Sequence, residues 1–154
     1  MKRAFRKIFI IGFICFLLMQ FYQPAYNTDN GQVLPIHFVK SYTVPQNIQT
    51  ILQNSCYDCH SNNTKYLWYD NIQPVRLLVE SHIKKGKENL NFSEWGNYSS
   101  RKQQNKLDRI VKQLTANEMP LSSYTALHTN AILSEENKQQ LINWINTLKK
   151  NNDE

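Results

Sequence analysis

Two cysteines three positions apart, followed at once by a histidine, constrain this chain more than any other feature: Cys56-Tyr57-Asp58-Cys59-His60. On a helix, positions three apart share a face, so the Cys56 and Cys59 thiols reach the same edge of one planar partner. The C-x-x-C-H spacing reads as a c-type haem attachment site. Two thiols add to the two vinyl groups of one haem and form thioethers. His60 then turns its imidazole onto the iron as proximal ligand. One haem c per chain is the expected cofactor.

Three other uses of such a pair exist. A thioredoxin-like redox dithiol wants a βαβ context, and no run of β-branched strand residues precedes Cys56. A zinc site needs about four nitrogen or sulfur ligands. After Cys56, Cys59 and His60, only His37, His82 and His128 are left, with no second pair at finger spacing. A structural disulfide between the two cysteines would give His60 no purpose.

Residues 1–22 form a signal-type segment. Lys2, Arg3, Arg6 and Lys7 make a basic start, and Ile8 to Tyr22 is apolar apart from Gln20. The run is short for a membrane span, which needs roughly 17 to 25 residues. Two readings follow, a cleaved signal peptide or an uncleaved anchor through residues 8–22. The stretch before Ala25 lacks the small residues of a cleavage site, and Phe21 and Tyr22 suit an interfacial belt. The anchor is the favoured expectation, with the folded part outside the inner membrane, in the periplasm. The alternative is a soluble exported protein after cleavage. Cys15 lies within the apolar run, outside any lipobox pattern, and reads as a small apolar residue.

The net charge of +6 is dominated by this segment. Without its four cations, fourteen basic residues face twelve acidic ones. No basic stripe with interleaved aromatics appears, so nucleic-acid binding is not expected. Nothing identifies a redox partner protein.

Residues 23–43 read as a linker, with Pro24, Gly31, Pro35 and little periodicity. Residues 44–150 read as an all-α domain. Pro45 precedes a helix carrying Ile48, Ile51 and Leu52 into Cys56. A polar and aromatic loop runs from Ser61 to Ile72. Pro74 opens a second helix with Val75, Leu78, Val79, His82 and Ile83 at helical spacing, and Gly86 suits its end. Ser99 or Ser100 caps a third, with Leu107, Ile110, Val111 and Leu114 on one face. Ser134, followed by Glu135 and Glu136, opens a fourth, with Leu141, Ile142, Trp144, Ile145 and Leu148 as its core stripe.

An iron held by His60 has one further axial position. Met119, between two predicted helices and stiffened by Pro120, is the first candidate; its other use is to fill a gap in the core. His82, on an apolar helix face, and His128, in a polar loop, are the alternatives. The Nδ1–H of His60 needs an acceptor, and the loop ending at Pro74 is placed to supply a carbonyl. Trp68, Tyr69, Arg76 and Trp95 are available as donors to the haem propionates, or as ordinary packing.

Several blocks together carry a resemblance: N-S-C-Y-D-C-H-S-N-N-T from Asn54, W-Y at Trp68, I-Q-P-V from Ile72, H-I-x-x-G-K before L-N-F-S-E-W, and E-M-P-L-S-S-Y from Glu118. In order and spacing they resemble the small haem-binding domain proteins of bacteria, a cytochrome c-like family. The resemblance runs from about Asn54 to Trp144. It implies a c-type haem on Cys56, Cys59 and His60 and an N-terminal apolar segment. The chain departs from the pattern at Leu67-Trp68, where a proline is common before the tryptophan, a difference that touches loop shape and not the haem ligands.

The expected role is one-electron transfer by an all-α, cytochrome c-like domain. The alternatives are a peroxidase-like enzyme and a gas or redox sensor, each needing an open or exchangeable sixth site.

Overall fold

A computed structural model describes residues 1–151, and those residues are helical without a strand. The first helix, α1 (Lys2–Met19), buries none of its residues. No helix among the described residues is long and apolar enough to cross a membrane. The reason lies in the sequence of α1. Its four cations fill the first turns, and helix from Ile8 to Met19 covers about 18 Å at about 1.5 Å per residue, against a hydrocarbon core of about 30 Å. Helix ends before Phe21 and Tyr22, so the expected transmembrane anchor through residues 8–22 is not met.

The segment after α1, expected as a linker over 23–43, makes several contacts with Gln73 and Arg76. The Gln20 side chain exchanges two hydrogen bonds with the backbone of Gln73, at 3.0 and 3.3 Å. Gln73 Nε2 donates to the Tyr22 carbonyl at 2.5 Å. Arg76 Nη2 donates to the carbonyls of Pro24 and Ala25 at 2.8 and 3.2 Å. The short helix α2 (Phe38–Ser41) then places Phe38 in the core. Its ring meets those of Tyr42, Phe92, Trp95 and Trp144 edge-on, with centroids 4.8 to 5.8 Å apart. Pairs of this geometry contribute about 0.5–1.5 kcal/mol each beyond their buried area. Pro, Gly and Asn flank the segment and hide this single aromatic anchor from a periodicity argument.

The main helices follow their local signals. Helix α3 (Gln46–Ser55) starts after Pro45 and buries Ile48, Ile51 and Leu52. A turn of helix, α4 (Tyr57–His60), carries the cysteine–histidine segment. Pro74 occupies the N-cap of α5 (Val75–Asn89). Ser99 occupies that of α6 (Ser100–Thr115), without a side-chain bond. After a turn of helix, α7 (Ser122–Thr125), Ser134 Oγ accepts from the Asn137 amide at 3.1 Å and starts α8 (Glu135–Asn151). Leu107 and Leu114 of α6 meet Leu141, Ile142, Ile145 and Leu148 of α8, with α3 alongside.

Helix α5 departs from its expected face. Of its residues only Arg76 and Ile83 are buried, and Leu78 is half exposed. The helix packs on α4 and on the single turn Trp68–Asn71 instead of burying a full apolar stripe. Nor does Gly86 end it, since the helix runs three residues further, to Asn89.

Candidate functional site

Position 86 shows why α4 and α5 fit together. A Cβ built on Gly86 would collide with the Cys59 carbonyl oxygen and lie 3.3 Å from the Cys59 Cβ. Only glycine lets α5 approach the cysteine–histidine turn this closely. The approach orients His60. Its Nδ1 lies 3.0 Å from the Gly86 carbonyl oxygen and 3.1 Å from that of Leu90. Carbonyls only accept, so Nδ1 carries the proton and donates, which leaves the Nε2 lone pair for a metal. Burial lowers the His60 pKa below the ordinary histidine value, against the opposing pull of the Leu90 and Gly86 carbonyls. The neutral, ligating form is the one favoured. The acceptor was expected from the loop ending at Pro74; it comes instead from the far end of α5. A glycine inside a helical pattern, short of its end, was the available signal.

Cys56, Cys59 and His60 line one cavity of about 360 Å³. Its walls also include Phe92, Ile110, Leu114, Leu121, Leu133 and Leu141. The size falls within the roughly 300–1,000 Å³ of cofactor sites, and the mostly apolar wall suits a macrocycle. Both cysteines are free thiols. Burial, and then the proximity of Cys59, pushes the Cys56 thiol up to about 12, and burial is also the main reason that Cys59 is pushed up to about 11. A redox dithiol needs a lowered thiol pKa, so the pair is not tuned for disulfide exchange. Among the described residues no three His, Cys, Asp or Glu side chains gather as a metal shell, which leaves the zinc alternative without its ligand set. A planar group joined to both thiols and approached by His60 Nε2 fits these residues.

Met119 and His82 both line the same cavity, Met119 from the loop after α6 and His82 from α5. His128 does not. Its ring stacks on Tyr124 at 4.0 Å between centroids, Nδ1 lies 3.1 Å from the Tyr124 carbonyl, and Nε2 lies 3.2 Å from the Tyr69 hydroxyl. Tyr124 in turn donates to Asp58 Oδ2 at 2.6 Å, which ties α7, close behind Met119, to the residue between the two cysteines.

The expected propionate donors are engaged elsewhere. Trp95 is fully buried in the aromatic core, Trp68 is largely exposed, and Tyr69 faces His128. Arg76, 0% exposed, lies between the rings of Tyr26 and Tyr66, at 4.3 and 4.4 Å, and pairs with Glu80 at 3.0 Å. None of the four lines the cavity. The polar residues that do line it include Lys85, Asn89, Lys106 and Arg109, which no local motif marks.

An all-helical domain built around an apolar cavity edged by two thiols and one oriented histidine is a haem-binding class of protein in fold and site. The model of the haem-binding domain family matches residues 14–147, and the chain belongs to that family. No curated protein and no solved structure matches the chain.

Proposed function

We propose that this haem-binding protein carries one haem c, joined to Cys56 and Cys59, with His60 as proximal and Met119 as distal iron ligand, and that it transfers single electrons on the outer side of the inner membrane. The observation that carries this reading is the convergence of Cys56, Cys59, His60 and Met119 on one mostly apolar cavity. When bound, the haem supplies an iron that cycles between two oxidation states. The chain supplies the rest. Gly86 and Leu90 hold the imidazole of His60 in one tautomer. The aliphatic and aromatic walls exclude water, which limits reorganisation on electron transfer. A thioether opposite an imidazole raises the potential relative to a second imidazole. The basic and apolar N-terminal segment serves as the export signal, because covalent haem attachment in bacteria takes place outside the cytoplasm.

A second reading is an exchangeable sixth site, as in a peroxidase-like enzyme or a gas sensor. His82 on the same cavity wall favours it. One set of measurements separates the two. Haem should stay with the denatured protein on extraction with acid acetone; haem leaving with the solvent would remove the c-type assignment. The reduced parent should ignore carbon monoxide, and Met119→Ala should bind it and show a lower potential, while His82→Ala does neither. Carbon monoxide binding by the parent would favour the second reading.

A further inference from the structure

The cavity is mostly apolar, and its wall carries one cluster of cations. Lys85 projects from α5, and Lys106 and Arg109 project from α6, one helical turn apart from each other; all three line the cavity. Asn89 gathers the two on α6. Lys106 Nζ donates to its backbone carbonyl, and Arg109 Nη2 donates to its Oδ1 at 3.2 Å. None of the three pairs with a carboxylate among the described residues. Asp58, the only carboxylate in the lining, is already occupied by the Lys65 amide and the Tyr124 hydroxyl. Burial, then Arg109 and Lys102 nearby, lowers the Lys106 pKa. Like charges at this spacing on a helix repel, and among the described residues no carboxylate pairs with either of them.

Cation donors near the C-terminal end of α5 also complement its dipole. That accounts for Lys106 on the Asn89 carbonyl. It does not account for Arg109 drawn to the Asn89 side chain beside it, nor for Lys85 on the same wall. A ligand with two carboxylates does. On a porphyrin, the propionates sit on the edge opposite the vinyl groups, and Cys56 and Cys59 are the residues that take the vinyl edge. Arginine offers a planar fork that matches a carboxylate, and lysine a point charge beside it.

We infer that Lys85, Lys106 and Arg109 form the rim that takes the two propionate carboxylates of the tetrapyrrole. The inference rests on the haem reading above. It also assigns the positions that an apolar wall and a cysteine pair leave open, namely how the far edge of the macrocycle is held and where its charge is balanced.

The test uses the haem-loaded full chain, with Lys106→Gln/Arg109→Gln compared with the parent. Lys112→Gln removes the same kind of charge from α6 at a residue outside the cavity lining, and serves as the control. Covalent haem is checked first in every sample by denaturation and solvent extraction. The midpoint potential and the propionate bending modes in the resonance Raman spectrum are then recorded. The double variant should show shifted propionate modes and a lower potential, because losing positive charge at the edge of the haem favours the oxidised iron. Lys106→Arg and Arg109→Lys, which keep the charge, should stay near the parent, as should Lys112→Gln. If the double variant fails to fold, Lys106→Gln and Arg109→Gln singly should each show part of the shift. Unchanged modes and potential in variants that retain covalent haem would overturn the rim. A parent without covalent haem would overturn the underlying reading as well, and the extraction step tells the two failures apart.

Discussion

At Gly86 one missing methyl group sets the distance between two helices. The nearest atoms to a Cβ there belong to the backbone of Cys59, so no side-chain rotation relieves the contact. The same residue presents its carbonyl to His60 Nδ1. Gly86→Ala therefore forces α5 away from α4 and moves an acceptor of the imidazole with it. Overpacking of this kind costs about 1–3 kcal/mol. Helix propensity works in the opposite direction, since alanine gains up to about 1 kcal/mol over glycine inside a helix. The expected net result is a lower urea midpoint together with reduced haem incorporation. A variant more stable than the parent, with full haem content, would mean that the contact at Cys59 relaxes freely.

Among the elements, α2 shows how a segment that reads as a linker becomes part of the site's support. His37 is its N-cap, and Nδ1 accepts from the Val39 amide at 3.3 Å. The same ring meets Tyr57, between the two cysteines, edge-on at 5.4 Å. Burial lowers the His37 pKa from its ordinary value near 6.5, with Asp29 opposing and Lys40 assisting. The unfolded chain thus takes up a proton at this site at higher pH than the folded one. Its contribution is complete above about pH 6.5 and is lost as pH falls toward the lowered folded value, by up to about 1.4 kcal/mol per pH unit. Protonation also removes the lone pair that caps α2. His37→Asn keeps a capping oxygen and does not titrate, so urea midpoints measured between pH 7 and pH 5 should fall less steeply than in the parent. Equal slopes would place the acid sensitivity elsewhere. The sequence made the helix starts at Pro45, Pro74 and Ser134 legible because each signal is local. Phe38, Gly86 and Arg76 were not legible, because each is explained by a partner far away in the chain: Trp95, Cys59 and the carbonyls of Pro24 and Ala25. The cysteine–histidine segment stood out for the same local reason, since Cys56, Cys59 and His60 fall within five residues.

Across the whole molecule, the boundary of the folded unit lies between α1 and the residues after it. Helix α1 buries nothing, whereas Gln20 to Asn27 are bound at several points. Besides the contacts to Gln73 and Arg76, Asn27 Nδ2 donates to the carbonyl of Ser61 at 2.8 Å, right behind His60, and Lys87 Nζ donates to Asn27 Oδ1 at 2.6 Å. Arg76 has the most at stake. Its Nε and Nη1 already lack partners, so Glu80, the two tyrosine rings and the Pro24 and Ala25 carbonyls must together offset the burial of its charge. Removing one side of a buried ionic network costs about 3–5 kcal/mol, because the remaining charge stays buried without its partners. Two shortened chains, each exported behind a foreign signal, separate the parts. A chain beginning at Gln20 should keep the parent's urea midpoint and haem content. A chain beginning at Thr28 should lose several kcal/mol and show the loss first around Arg76 and Ser61 in hydrogen exchange. Equal stability of the two shortened chains would show that the segment from Gln20 to Asn27 rests on the domain without supporting it.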